Sequence, residues 1–130
     1  MQSIYPAAES LTVEFKSDRS GYPDRELIEA LTCLANTAGG ELWLGVEDSG
    51  IASGLHRKHL NLSRLIALIA MQTHPSLVVK INKRRVNNVT VAQIIVPHTG
   101  VLIATKEGVY LQRRIKTDGT PECIRIDPAD

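Results

Sequence analysis

The sequence predicts an α+β fold in which a mixed, largely antiparallel sheet of about six strands packs against two helices. Two segments repeat apolar residues at helical spacing, whereas several shorter segments alternate apolar and polar residues as strands do. Neighbouring strand segments are joined by short turns, which favours hairpins. Because no linker or internal repeat interrupts the chain, residues 1–130 are expected to form one domain.

The first strand and helix are predicted within residues 10–35. In residues 10–16 the alternation directs Val13 and Phe15 into the core and leaves Glu14 in solvent. Apolar residues then recur at helical spacing up to Ala35, and Asp24 is the expected N-cap of this helix.

The segment LANTAGGELWLGVEDSGIASGL, residues 34–55, follows directly. Its glycines end the helix, and alternating apolar residues then predict a strand in which Trp43 packs in the core. Gly45 leaves a gap on one face, where another backbone or a ligand can approach closely. A turn at residues 48–50 and a returning strand over residues 51–55 complete the pattern.

The second half predicts one helix and four strands. Asn61 or Ser63 caps the helix, which stops before Pro75. Strands over residues 77–81 and 89–96 are joined by a basic turn, residues 82–88, and two further strands cover residues 108–115 and 123–126.

Several classes of protein and site are disfavoured by the composition. No run of about 18 apolar residues is present, so a membrane span is not expected. The first ten residues lack the pattern of a signal peptide, and the two cysteines are too few for a disulfide scaffold or a four-cysteine zinc site. We therefore expect a cytoplasmic protein with Cys33 as a buried thiol. His56 and His59 are expected at the surface rather than as metal ligands.

Charge is divided unevenly along the chain. Residues 1–50 hold nine acidic and three basic residues, whereas residues 51–116 hold eleven basic residues and one acid. This asymmetry indicates either a polyanionic partner or a solvated basic surface. If the partner is a nucleic acid, mainly backbone contacts with weak sequence preference are expected. The candidate contacts are Arg57, Lys58, Lys80, Lys83, Arg84, Arg85, Arg113, Arg114 and Lys116.

Four motifs carry a resemblance to a known family. The pattern ES-x-x-VEFK at residues 9–16 precedes LANTAGGELWLGVEDSG at residues 34–50, and VPHTG and YLQRR follow at residues 96–100 and 110–114. Together they resemble the Schlafen-type AlbA domain, also called the divergent AAA domain, which occurs in bacterial transcriptional regulators. The resemblance implies a mixed α/β fold that binds nucleic acid, with DNA favoured, and that has no ATPase activity. The resemblance is less close where the family has YxR-x-G-S and this chain has YLQRRIKTDG. Family members often carry a further domain.

The same resemblance offers an enzymatic alternative. In some animal Schlafen proteins three carboxylates cut structured RNA such as tRNA, and Glu9, Glu14 and Asp48 match those positions here. Carboxylate oxygens suit Mg²⁺ or Mn²⁺, which would be the cofactor only in this case. Glu9 and Glu14 are five residues apart, so their side chains converge only if the chain bends before Thr12. Otherwise the three acids are a loop residue, a solvated strand residue and a turn residue.

A third interpretation is a non-catalytic scaffold or regulatory module. Animal Schlafens pair two such lobes, so a single lobe is expected to form an equivalent surface as a homodimer.

Overall fold

Two four-stranded sheets flank two helices in the computed structural model, which describes residues 4–128. The helices are α1 (Asp24–Ala35) and α2 (Leu62–Met71), and a short 3₁₀ helix covers Arg57–His59. The strands are β1 (Val13–Lys16), β2 (Gly40–Leu44), β3 (Thr73–His74), β4 (Lys80–Val86), β5 (Val89–Val96), β6 (Ala104–Thr105), β7 (Tyr110–Ile115) and β8 (Pro121–Ile126).

The first sheet has the strand order β1-β2-β5-β4, and the second has the order β3-β6-β7-β8. Only β1 and β2 pair in parallel; the other paired strands are antiparallel. The α+β class is therefore confirmed, and the strand count differs from the prediction. Strands β3 and β6 have two residues each and are too short to leave a periodic pattern in the sequence. The strands also form two sheets, where the sequence predicted one.

Strand β2 supplies residues to two separate cores. Leu42 and Leu44 are fully buried against the helices, where they join Leu27, Leu31 and other apolar residues of α1. Trp43 points to the opposite face, as side chains alternate along a strand. There it is 1% exposed and packs with Phe15 and other apolar residues. The predicted core position of Trp43 is confirmed.

Glycine is required at both ends of β2 because other backbone segments pass very close. A Cβ added to Gly40 would lie 2.1 Å from the carbonyl oxygen of Thr12, and one added to Gly45 would lie 2.9 Å from the backbone of Gly54. Both glycines also have positive φ, which only glycine adopts at little cost. The expected gap at Gly45 is therefore filled by backbone.

Asn36 joins α1 to the second sheet. It is 6% exposed, and its side-chain nitrogen donates to the carbonyl oxygens of Ile103 and Leu111 at 2.8 and 2.9 Å. Its side-chain oxygen accepts from the Ile103 amide at 2.7 Å. One side chain thus satisfies three buried backbone groups just before β6 and within β7.

Three local predictions need correction. Pro23 is the N-cap of α1 and Asp24 its first residue, so Asp24 does not cap the helix. The expected returning strand over residues 51–55 is reduced to an isolated bridge between Val46 and Ala52. The basic segment Lys83–Arg85 lies inside β4 rather than in a turn, because the hairpin turns at residues 87–88. By contrast, one of the two residues predicted to cap α2, Asn61, does so by accepting a hydrogen bond from the Arg64 amide.

The expected buried thiol at Cys33 also needs correction. Cys33 is fully buried, but a disulfide joins it to Cys123 and so links α1 to β8. Disulfides are rare in a reducing cytoplasm, so the cytoplasmic location stays a prediction. Within residues 4–128, no helix is long and apolar enough to span a bilayer.

Replacing Asn36 with Ala should lower the free energy of unfolding by about 3 kcal/mol or more, because three buried backbone groups lose their hydrogen-bond partner. Urea unfolding of wild type and variant measures this difference. Gln112→Ala is the control, since Gln112 is exposed in the second sheet and should change stability by less than about 0.5 kcal/mol. Equal effects of the two substitutions would contradict the role given to Asn36.

Candidate functional site

A tight reversal before β1 brings two of the predicted acids together. The amide of Ser10 donates to the carbonyl oxygen of Val13 at 3.0 Å, so the chain turns back on itself through Thr12. Glu9 then lies beside β1, where its carboxylate accepts from the Phe15 amide at 3.0 Å and its carboxyl group hydrogen-bonds that of Glu14. The bend that convergence of the two glutamates requires is therefore present.

Arg113 reaches from β7 into this acidic pair. Its guanidinium is paired with the Glu14 carboxylate and donates to the carbonyl oxygens of Ser10 and Val13, in each case at 2.8 Å from Nη2. Arg113 is 5% exposed and Glu14 is 8% exposed, so the prediction of a solvated Glu14 is wrong. Lys16 lies 3.3 Å from the other oxygen of Glu14. The cluster therefore joins two acids and two bases, of which Glu14 and Arg113 are buried and Glu9 and Lys16 are partly exposed.

The two glutamates hold their protons unequally. Burial and the hydrogen bond that Glu9 donates to Glu14 raise the pKa of Glu9 to about 7, against the opposing hydrogen bond from the Phe15 amide. Burial would also raise the pKa of Glu14, but the hydrogen bond from Glu9 and the charges of Lys16 and Arg113 outweigh it and lower that pKa. Glu9 therefore carries the proton and Glu14 the negative charge below neutral pH.

This arrangement does not fit a divalent metal ion. Both oxygens of Glu14 already face a cation, and Asp48 is exposed in its turn, where it acts on Glu9 only through its charge. Among residues 4–128, no group of three or more His, Cys, Asp or Glu side chains is positioned to hold a metal. The three predicted acids are near one another but do not form a ligand set.

A second buried network was not predicted. His59 is 3% exposed, and its Nδ1 lies 2.9 Å from both oxygens of the fully buried Asp18, while its Nε2 lies 2.8 Å from Asp24. Asp18 also accepts from the amides of Tyr22 and His56. The prediction of His59 as a surface residue is wrong, and nothing in its neighbourhood in the sequence indicates partners about 35 to 41 residues away.

The pKa of His59 follows from this setting. Burial alone lowers it, but the hydrogen bonds and charges of Asp18 and Asp24 outweigh burial and raise the pKa above its ordinary value of 6.5. The protonated ring donates to a carboxylate on each side and so fastens the 3₁₀ helix to the loop before α1.

The largest group of predicted cationic contacts lies at one end of the first sheet. The Leu55 amide donates to Thr90 at 2.8 Å, and Thr90 pairs with Arg85 across the hairpin. The link after Leu55 therefore begins at the hairpin end of β5, on the side of β5 that faces away from β4. The exposed cations at this end are Arg57, Lys58, Lys83, Arg84 and Arg85.

The other four predicted cations lie elsewhere. Lys80 is exposed at the opposite end of β4. Arg114 lies in β7 and Lys116 directly after it, where they face Glu122 and Asp118. Arg113 is buried in the acidic cluster, so its guanidinium is not available to a phosphate, and this predicted contact is corrected.

Comparison with known proteins identifies a family and a fold. The family model described as Schlafen, AlbA_2 matches residues 9–120. The crystal structure of the DIP2311 protein from Corynebacterium diphtheriae aligns with a TM-score of 0.73 at 22% identity, covering 90% of this chain and 25% of that one. This chain thus spans a quarter of the length of that protein.

A second solved structure is the N-terminal domain of a RecG-related protein from Nitrosomonas europaea, determined by NMR in solution. It aligns with a TM-score of 0.56 at 23% identity, covering 75% of this chain and 72% of that one. At these identities the two structures support the fold alone. No curated protein matches the sequence.

Replacing Arg113 with Met should lower the free energy of unfolding by about 3–5 kcal/mol, because it leaves Glu14 charged and buried without its main partner. Arg114→Met is a matched control at the next residue. Arg114 is exposed and pairs with Glu122 at the surface, so its loss should change stability by less than about 1 kcal/mol. Urea unfolding of both variants checks the contrast, and similar losses would contradict it.

Replacing His59 with Gln should remove a pH-dependent part of the stability. Because the folded pKa of His59 is raised, its contribution is complete below the unfolded value of 6.5 and is lost as pH rises through the folded pKa. The difference in unfolding free energy between wild type and variant should therefore be greatest below pH 6.5 and should shrink as the pH rises above that value. Glu9 titrates in both proteins, so the difference isolates His59; a pH-independent difference would refute the assignment.

Proposed function

The chain belongs to the Schlafen AlbA_2 family, and from this premise we propose that it is a nucleic-acid-binding domain that contacts the phosphate backbone of DNA. The observation that carries the proposal is the group of exposed cations at one end of the first sheet. We call it the edge patch; its residues are Arg57, Lys58, Lys83, Arg84 and Arg85. Within the part of the chain that the structure describes, none of these five takes part in a salt bridge.

Unpaired, exposed cations suit a polyanion for a physical reason. Each keeps its hydration until it meets a phosphate, and each contact then releases a counterion from the nucleic acid. Arginine and lysine that already face a carboxylate, as Arg114 and Lys116 do, have less charge to offer. The edge patch is therefore the favoured contact surface, and Lys80 and the cations of the second sheet are secondary.

Three points favour DNA over RNA. The RecG-related neighbour is named for an ATP-dependent DNA helicase, and the family resemblance extends to bacterial transcriptional regulators. Scarce aromatic residues, one Trp, one Phe and three Tyr, disfavour stacking on single-stranded bases. Duplex DNA bound through its backbone agrees with all three points, and such binding needs no cofactor. Action within a cytoplasmic transcriptional regulator and pairing into a homodimer extend the proposal.

The metal-dependent ribonuclease is the less favoured function. The bend that joins Glu9 to Glu14 is what that chemistry requires, but the guanidinium of Arg113 already neutralises Glu14. With Asp48 exposed in a turn, Glu14 is better suited to hold Arg113 of the second sheet than to bind Mg²⁺ or Mn²⁺ with the other two acids.

Replacing Lys83, Arg84 and Arg85 together with Ala should weaken binding to a duplex and flatten its salt dependence. The slope of log affinity against log salt should decrease by about 0.9 for each phosphate contact that is lost. Fluorescence anisotropy with a labelled duplex of mixed sequence, at several salt concentrations, measures both quantities.

The matched control changes the same number of charges in β7 and in the turns that follow β6 and β7. The triple variant of Lys106, Arg114 and Lys116 to Ala removes three exposed cations and should keep most of the affinity and slope. Equal losses in the two variants would mean that net charge, and not the edge patch, governs binding. Parallel samples with structured RNA, in EDTA and in Mn²⁺, separate binding from cleavage: metal-dependent cleavage that Glu14→Gln abolishes would favour the nuclease instead.

A further inference from the structure

A row of polar side chains crosses the face of the first sheet that is turned away from the helices. The side-chain nitrogen of Gln93 donates to Glu41 at 2.6 Å, and the side-chain oxygen of Gln93 accepts from Nε of Arg84 at 3.1 Å. Asn82 donates to the same oxygen at 3.3 Å. Gln93 lies opposite both Trp43 and Asn82 in the strand register, so the row spans β2, β5 and β4. We call it the polar ladder.

The polar ladder determines which way the Gln93 amide points. An amide carries a donor at one end and an acceptor at the other, and Glu41 is an acceptor only. Its carboxylate therefore holds the NH₂ group of Gln93 on the β2 side, which turns the amide oxygen toward Arg84. Without Glu41, the amide would be free to present its NH₂ group to the guanidinium, and the contact would be lost.

Arg84 gains a fixed direction from this contact. Its Nε is occupied by Gln93, while its two terminal nitrogens have no hydrogen-bond partner among residues 4–128, and the side chain is exposed. Lys83 and Arg85, being neighbours of Arg84 along the strand, point to the other face. Arg85 makes one long side-chain contact there, 3.5 Å to Thr90.

We infer that Gln93 is a positioning residue, which with Glu41 behind it holds the guanidinium of Arg84 as a fixed fork for one phosphate of the duplex backbone. The inference rests on the proposed function and names the contact within it. Two parallel N–H groups of an arginine match two oxygens of a phosphate, and such a pair is stronger than a single neutral hydrogen bond. Glu41 repels phosphate from the middle of the sheet, which leaves the Arg84 side as the favourable position.

The polar ladder strengthens binding because it orders the Arg84 side chain, and it adds no charge to the surface. A long side chain that is ordered before binding loses less freedom when the phosphate arrives, which corresponds to about 2- to 10-fold in affinity. Arg84 would then contribute more to binding than Lys83 or Arg85, although all three are exposed on the same strand.

The test uses Gln93→Met, which keeps the size and net charge of the side chain and removes the acceptor. Binding of the labelled duplex is measured for wild type, Gln93→Met, Arg84→Ala and the double variant. We expect Gln93→Met to weaken binding about 2- to 10-fold in the wild-type background and to have no effect once Arg84 is Ala. Gln112→Met, the same change at an exposed site of the second sheet, should bind as wild type does.

A readout independent of DNA is the Nε–H resonance of Arg84 in a ¹⁵N spectrum of the free protein. It should be protected from solvent exchange in wild type and lose that protection in Gln93→Met, whereas Gln112→Met should leave it unchanged. This signal is read from the folded protein, so it decides the question even where Gln93→Met lowers stability.

The outcomes separate the two proposals. Suppose that wild type binds the duplex. The inference is overturned, and the proposed function retained, if Gln93→Met binds as tightly as wild type. The same holds if Gln93→Met weakens binding by the same factor with Arg84 present as with Arg84 replaced by Ala. If wild type does not bind the duplex at all, the proposed function is overturned and the phosphate fork with it.

Discussion

The buried guanidinium of Arg113 is the interaction on which the arrangement of the two sheets depends. A buried charge is tolerated only where it is paired and its N–H groups have acceptors. Here the charge comes from the second sheet, whereas its acceptors, Glu14 and the carbonyl oxygens of Ser10 and Val13, come from the first sheet and the turn before it. Shifting one sheet against the other would leave the charges of Arg113 and Glu14 buried without their partners. Asn36 reinforces the constraint, since it fixes β7 against the end of α1.

This constraint gives the acidic motif a structural purpose. Glu14 belongs to a pattern that resembles a nuclease motif, and its carboxylate is available neither to solvent nor to a metal while Arg113 is in place. Two adjacent arginines thus have different tasks: Arg113 holds the fold together and Arg114 lies at the surface. The cations left to meet a polyanion are mainly those of the edge patch, which no carboxylate of the described residues neutralises. Charged residues on an edge strand also discourage pairing with another strand, and Lys83, Arg84 and Arg85 lie on such a strand.

Local patterns in the sequence predicted the elements that depend on local physics. The helical spacing from Leu27 to Ala35, the Asn61 cap and the core position of Trp43 are all present, because each follows from neighbours a few residues away. The polar contacts were not predictable in this way. Glu14 and Arg113 are 99 residues apart, and a period-two pattern cannot reveal that a polar side chain is buried opposite a charge from another sheet. Residues 82–86 of β4 were predicted as part of a turn for a related reason: β4 lies at an edge, so few of its side chains need to be apolar.

Successive side chains of β4 point to opposite faces of the sheet, and this alternation limits how a ligand can contact them. Lys83 and Arg85 project from one surface of the strand and Arg84 from the other, so a ligand that touches all three must straddle the rim of the sheet. A single-residue insertion within the strand would exchange the two surfaces for every residue beyond it, taking the guanidinium of Arg84 out of reach of Gln93. A deletion of two residues would shorten the strand, yet each remaining side chain would stay on the same face of the sheet.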